Sequence, residues 1–454
     1  MTVWLTALAV TLASGVAIGG FVWLGARIDG GARATPFFAT VFAIALLDMV
    51  GAWLIAIGES GREFKAAEAA HGLPLLLHVV AVNYLFLLGA AAFRRVRFEE
   101  LHILGERSAA FLTVQRLGMF ALGALGTLLL YLYASQLSVI PLIAILFGGE
   151  DQGVAAVLRN AATAGFQGHY WRYNVGMAYL LPFVSWYFLC RLIDRSTRGA
   201  LDWVGAIVFT GLSLFASVVS LQKAPLLTYL VMSFVVFLKA SRRRVNWRSL
   251  AVLGGLLLVP LPVLYTLFIG ATNVSAAESV LLALHRFFGG QIYPALWYLD
   301  VFPRQLDFLH GVGLPNPGGF LPFTPVAPAY EVWARIFPDL ETAGLHGTAN
   351  TVYFMEMYAN FGIPGMYAIG PIAGAMAMLL SRWVESVRVP YVSVPLTALF
   401  MVACVRLALT DFTIFLFDLS LVIAILLMLA VSLAASTAAV ALGGADRRPG
   451  ALTP

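Results

Sequence analysis

The sequence predicts an all-α fold, a polytopic bundle of membrane-spanning helices, and three observations carry that prediction. Only 11% of the 454 residues are charged and 61% are hydrophobic, against about 25% charged in an ordinary soluble domain. The mean hydropathy is +0.88. Apolar runs of about 20 residues, the length that a hydrocarbon core of about 30 Å demands of a helix, recur about eleven times. Cys190 and Cys404 stand alone without CxxC or Cys/His spacing, so neither a disulfide framework nor a zinc site is expected. The net charge of +5 comes mostly from short loops between apolar runs, where topology explains it and no nucleic-acid partner is implied.

Taken in order, the expected spans are residues 3–25, 37–57, 73–93, 110–135, 175–193, 203–220, 224–239, 249–271, 363–381, 391–407 and 412–436. The run 137–148 is apolar but too short. The first segment lacks the basic start of a cleavable signal peptide and is expected to stay. Placing alternate loops on one side collects most of the basic residues there, including Arg94, Arg95, Arg97, Arg191, Arg195, Arg198, Arg242, Arg243, Arg244, Arg382 and Arg388. The positive-inside rule makes that side cytoplasmic, with the N-terminus outside and the C-terminus inside.

The domain plan that follows has a first membrane region, 1–271, interrupted by an outer loop at 149–174. A large outer cap loop follows at 272–350, then an interfacial helix and the last three spans over 351–436, and a tail at 437–454. The cap is rich in proline and aromatic residues, including Phe287, Phe288, Tyr293, Trp297, Tyr298 and Trp333. That composition predicts an ordered loop with short helices near 277–288 and 292–300, because a disordered linker would be polar and charged. The loop 149–174 ends in Gln167-Gly168-His169-Tyr170-Trp171-Arg172-Tyr173.

Several cations fall on the outer side, against the usual statistics: Arg62, Lys65, Arg159, Arg172, Lys223, Arg286, Arg304, Arg335 and Arg406. One reading is that several line a cavity and neutralise a phosphate or pyrophosphate, for which Arg offers bidentate hydrogen bonds. The plainer alternative is that Lys223 and Arg406, at helix ends, snorkel to headgroups. The cap carries six acids and three arginines, so an anion site there must be local.

The segment Gly344–Gly365, GLHGTANTVYFMEMYANFGIPG, is the most informative. His346 and Asn350 share a face if a helix starts early, with Thr348 as its N-cap, running past Glu356 to about Asn360. Gly362, Pro364 and Gly365 break it before the next span. Glu356 sits in an apolar run and needs a partner, for which an arginine is expected; a purely structural tie between cap and bundle is the alternative. Within the spans, Asp48, His78, Asn83 and Asp418 are polar, and hydrogen bonds between helices account for them most simply.

The stretch His346-Gly347-Thr348-Ala349-Asn350, followed by Glu356, Tyr358, Asn360, Phe361, Gly362 and Gly365, resembles the region after the large periplasmic loop of Wzy-type polymerases, which join O-antigen or exopolysaccharide repeat units. O-antigen ligases share a comparable His-x-x-x-Asn and Gly-x-x-Gly, and the Glu-x-Tyr-x-Asn-Phe-Gly portion favours the polymerase. The resemblance implies a GT-C-like membrane glycosyltransferase of the bacterial inner membrane. It implies a glycan on undecaprenyl pyrophosphate as substrate, a chain-length regulator as partner, and no cofactor or metal. On that reading His346 or Glu356 is the general base, with His346 preferred because imidazole titrates near neutrality. Arg159, Arg172, Lys223, Arg286 and Arg406 are the pyrophosphate candidates, with Asn350 beside them. Tyr170, Trp171 and Trp297 are candidates for stacking on sugars. A single inverting displacement is expected, because the sequence offers no recognisable carboxylate pair for a covalent intermediate. An O-antigen ligase and a transporter of lipid-linked sugars are the competing readings.

Overall fold

The computed structural model describes residues 2–31, 34–58, 65–100, 108–147, 152–163, 166, 170–196, 198–242, 255, 284–316, 319–342 and 347–445. Among the described residues every regular element is helical. Eight helices are long and apolar enough to cross a bilayer: Leu5–Asp29, Pro36–Ala56, Ala70–Phe93, Ala109–Gln136, Tyr170–Ile193, Ala200–Val218, Tyr353–Ser386 and Phe412–Ala441. They correspond to eight of the expected spans and make this a helical membrane protein. Two further expected spans appear as the shorter apolar helices Ala224–Ala240 and Ser393–Ala408. The expected span 249–271 lies, apart from Gly255, outside the described residues.

Helix starts follow ordinary capping chemistry. The Thr35 hydroxyl accepts from Phe38 N at 3.0 Å, and Pro36, which has no N–H to satisfy, takes the first helical position. Ser108 accepts from Phe111 N at 3.1 Å. Two spans contain a π-helical turn, Ile44–Met49 and Val175–Leu180. The second precedes Pro182, whose missing N–H interrupts the regular ladder.

The chain divides into two compact units. Unit 1 comprises Met1–Val96, Val259–Arg382 and Phe400–Phe417; unit 2 comprises Arg97–Leu258, Trp383–Leu399 and Asp418–Pro454. In unit 1 a single apolar core joins Phe21, Phe37, Ile44, Phe86, Tyr298 and Tyr353, among others. We label two of its helices α1 (Lys65–Phe93) and α2 (Tyr353–Ser386). They approach almost backbone to backbone: a Cβ on Gly89 would lie 1.9 Å from Pro371 O, and one on Gly374 would lie 1.8 Å from Phe86 O. Only glycine permits that crossing.

In unit 2 the helix Ala109–Gln136 packs on Leu419–Ala445, and Leu181–Ile193 packs on Ala200–Val218. Asp202 is fully buried there and holds three groups. It accepts from Gly199 N at 2.8 Å, closing its own helix start, and from Arg191 Nε at 2.7 Å, with Arg116 Nε at 3.2 Å. Arg191, expected from sequence as a loop charge, is thus a buried structural cation. Two positive groups and a helix N-terminus offset the cost of burying one carboxylate.

The intramembrane polar residues resolve individually. His78 Nδ1 bonds the Tyr367 hydroxyl at 2.8 Å, and Asn83 Oδ1 accepts from Tyr353 at 3.1 Å. Asp418 accepts from the Tyr179 hydroxyl and from Leu421 N. Asp48 takes no hydrogen-bond partner among the described residues.

Candidate functional site

The segment that stands out in the sequence is the joint of unit 1. The helix α2 begins at Tyr353, and Gly362 adopts φ 67°, ψ −155°, which kinks it. The kink leaves the Ala359 carbonyl without its regular donor, and Pro364 has no N–H to give to the Asn360 carbonyl. The chain before it supplies both: Leu309 N bonds Ala359 O at 3.0 Å and His310 N bonds Asn360 O at 2.9 Å. The Asn360 side chain completes the clamp, its Oδ1 accepting from Gly311 N and Gly313 N at 3.1 and 3.0 Å while its Nδ2 donates to Glu356 O. Tyr358 donates to Phe302 O at 3.0 Å. Two polar side chains of one helical stretch, Tyr358 and Asn360, therefore fasten the preceding loop to the helix.

Glu356 has a different attachment. It is 2% exposed, and its carboxylate accepts from Thr413 N at 3.0 Å and from the Thr413 hydroxyl. It thereby caps the short helix Phe412–Leu416, whose own N-cap residue, Asp411, makes no capping bond. The partner expected for Glu356 was an arginine; a helix N-terminus, with its unpaired N–H groups and positive dipole end, takes that place. Both Glu356 oxygens thus accept hydrogen bonds in a buried position.

Asp411 and Tyr298 lie beside it. Asp411 is 6% exposed, and among the described residues neither its Oδ1 nor the buried Tyr298 hydroxyl has a hydrogen-bond partner. Burial first, and the Glu356 charge second, push Asp411 up to about 7. Burial, then the charges of Asp411 and Glu356, push the Tyr298 phenol well above its ordinary value. The sequence reading saw no carboxylate pair, yet folding brings Glu356 and Asp411 within electrostatic reach. Thr413 went unnoticed; the helix-start pattern Thr410-Asp411 before an apolar run was its only signal.

Against the same helix lies a cavity of about 440 Å³, walled by His310, Leu314, Phe323, Met357, Phe412 and Thr413, among others. Its lining is mostly apolar, with His310 and Thr413 as polar exceptions.

The remaining candidates distribute as follows. His346 lies outside the described residues, as do Arg62, Gln167, Gly168 and His169. Asn350 is exposed in a non-helical stretch, where Ala349 N bonds Ala329 O at 2.8 Å. Residues 347–352 are non-helical, so Thr348 is not the N-cap of a helix and Asn350 stands on no helix face. Trp297 is 6% exposed, edge-on to Tyr293 and Phe337. It belongs to the core and offers no face to a sugar. Arg286 is exposed and Arg406 half-buried, both in unit 1.

In unit 2, Arg159 and Arg172 are exposed, and Lys223 opens the helix Lys223–Ala240. Arg172 lies 5.6 Å over the Trp171 ring. Tyr170 is half-buried, edge-on to Tyr133 and Phe166, which leaves Trp171, 39% exposed, as the more open aromatic. Among the described residues no three His, Cys, Asp or Glu side chains gather as a metal site. No family model matches the chain, and neither the curated proteins nor the solved structures give a match.

Proposed function

We propose that the protein is a Wzy-type polymerase of the bacterial inner membrane, with about eleven spans in a GT-C-like arrangement, its N-terminus periplasmic and its C-terminus cytoplasmic. On this reading it transfers a glycan from undecaprenyl pyrophosphate onto a hydroxyl of another lipid-linked repeat unit at the periplasmic face. The observation that supports it most is the Glu356–Gly362 joint. The stretch that carries the resemblance ties the loop between spans to the membrane helices, beside an apolar cavity and a buried acidic pair.

The reaction needs three things from the chain. A base takes the proton of the attacking hydroxyl as its oxygen bonds the anomeric carbon, and the carbon–oxygen bond to pyrophosphate breaks. His346 is the base, since Glu356 is committed to Thr413. Cations stabilise the departing diphosphate, with Arg159, Arg172, Lys223, Arg286 and Arg406 as candidates. Trp171 offers a sugar platform. A chain-length regulator is the expected protein partner.

The test is polymer length distribution in cells lacking the native protein and complemented with His346→Ala or Arg286→Ala. Long ladders should collapse to single repeats in both. Wild-type ladders from both variants would remove the site assignment. Deleting the gene separates the ligase reading: loss of a polymerase leaves single repeats on the lipid A core, and loss of a ligase leaves the core bare.

A further inference from the structure

The least satisfied polar group in unit 1 is Asp48. It is fully buried near the middle of the span Pro36–Ala56, and among the described residues neither carboxylate oxygen has a hydrogen-bond partner. It sits in the π-helical turn Ile44–Met49, a distortion that widens the helix and that recurs at functional sites. That turn packs on α1, which carries Asn83. The Tyr353 hydroxyl bonds Asn83 Oδ1 at 3.1 Å and is close enough to Asp48 for their charges to interact. Asn83 Nδ2 is a further buried atom with no hydrogen-bond partner among the described residues. Exchanging the amide oxygen and nitrogen of Asn83 would let Nδ2 bond the Tyr353 hydroxyl and free an oxygen for a ligand.

An ionised carboxylate with no partner cannot persist in such a place, because its lost hydration is unreplaced. Helix-to-helix hydrogen bonding, which accounts for His78, Asn83 and Asp418, does not account for Asp48. Three other ionisable side chains on the elements packed around it have partners of their own. Tyr84 donates to Ala17 O, and His78 is bonded to Tyr367. Cys404 is hydrogen-bonded to Thr40. The turn Arg406–Ala408 also packs on this π-helix, yet both Asp48 oxygens remain unpartnered.

We propose that Asp48 is the ligand of a small monovalent cation, a proton or a sodium ion, bound inside unit 1 with Asn83 and the Tyr353 hydroxyl as neighbours. A proton would sit on one carboxyl oxygen. A sodium ion would take the carboxylate, with the Asn83 amide oxygen as a further oxygen ligand. The site goes beyond the transferase reading and does not depend on it.

Infrared difference spectra of the full chain in lipid vesicles, wild type minus Asp48→Asn, test the proposal, with Asp48→Ala as a second subtraction. Spectra are taken between about pH 5 and pH 8, in choline and in sodium salts. A protonated-carboxyl band that both variants lose, and that persists to neutral pH, assigns the proton. A carboxylate band that shifts when sodium replaces choline assigns the sodium ion. Asn83→Ala, which keeps the carboxylate, should move the midpoint of either response by at least about threefold. An Asp48 carboxylate band at neutral pH that is indifferent to sodium would overturn the proposal.

Discussion

Asp411 shows how one buried side chain couples this site to pH. Its carboxyl is held at about 7, whereas the unfolded chain would release that proton near 3.9. Between those values the folded state binds the extra proton, so stability falls as pH rises through that window, by up to about 4 kcal/mol once both states are ionised. Asp411→Asn removes the titrating group. Thermal unfolding in detergent should show wild type losing stability between about pH 4 and pH 7 and levelling above that, with a clearly shallower fall in the variant. Equal slopes would place the proton elsewhere. Asn360 and Glu356 illustrate what a sequence withholds at this scale. Both positions were singled out, but the partners they take, Gly311, Gly313 and Thr413, depend on a loop returning to the helix, which no local pattern encodes.

Among the elements, α1 and α2 of unit 1 depend on glycines at their crossing. Gly370 and Gly374 form a Gly-x-x-x-Gly pair on α2, and a Cβ on Gly370 would lie 2.8 Å from Val82 O. Gly89→Ala or Gly374→Ala must push backbone against backbone, so either change should cost at least about 2 kcal/mol and lower the folded yield. Size-exclusion profiles of the purified variants measure this; wild-type yield and Tm from both would show that the helices part freely. The long helices were legible because a continuous apolar run has few other solutions in a bilayer. Thr348 was misread because a tertiary bond, Ala349 N to Ala329 O, outweighs its capping preference. The break at Gly362 and Pro364 was read directly, although its use as a dock for residues 309–313 was not.

Across the whole molecule, composition made the membrane class plain, since 11% charge and long apolar runs leave a soluble fold no surface. The placement of the cations was less legible. Arg191 reads as a cytoplasmic loop charge, yet it is buried on Asp202, because charge counting carries no information about which arginine finds a helix N-terminus. Arg286, Arg159 and Arg172 are exposed, as their charge leads one to expect. The central claim is that this chain alone forms a glycosidic bond at the expense of a lipid diphosphate. Purified protein in proteoliposomes, supplied with a repeat unit on polyprenyl pyrophosphate, puts it to the question directly. The account predicts a ladder of polymer with matching release of polyprenyl pyrophosphate, reduced at least about 100-fold by His346→Ala. A wild-type protein that forms no glycosidic bond, or a His346→Ala variant that polymerises at the wild-type rate, would contradict it.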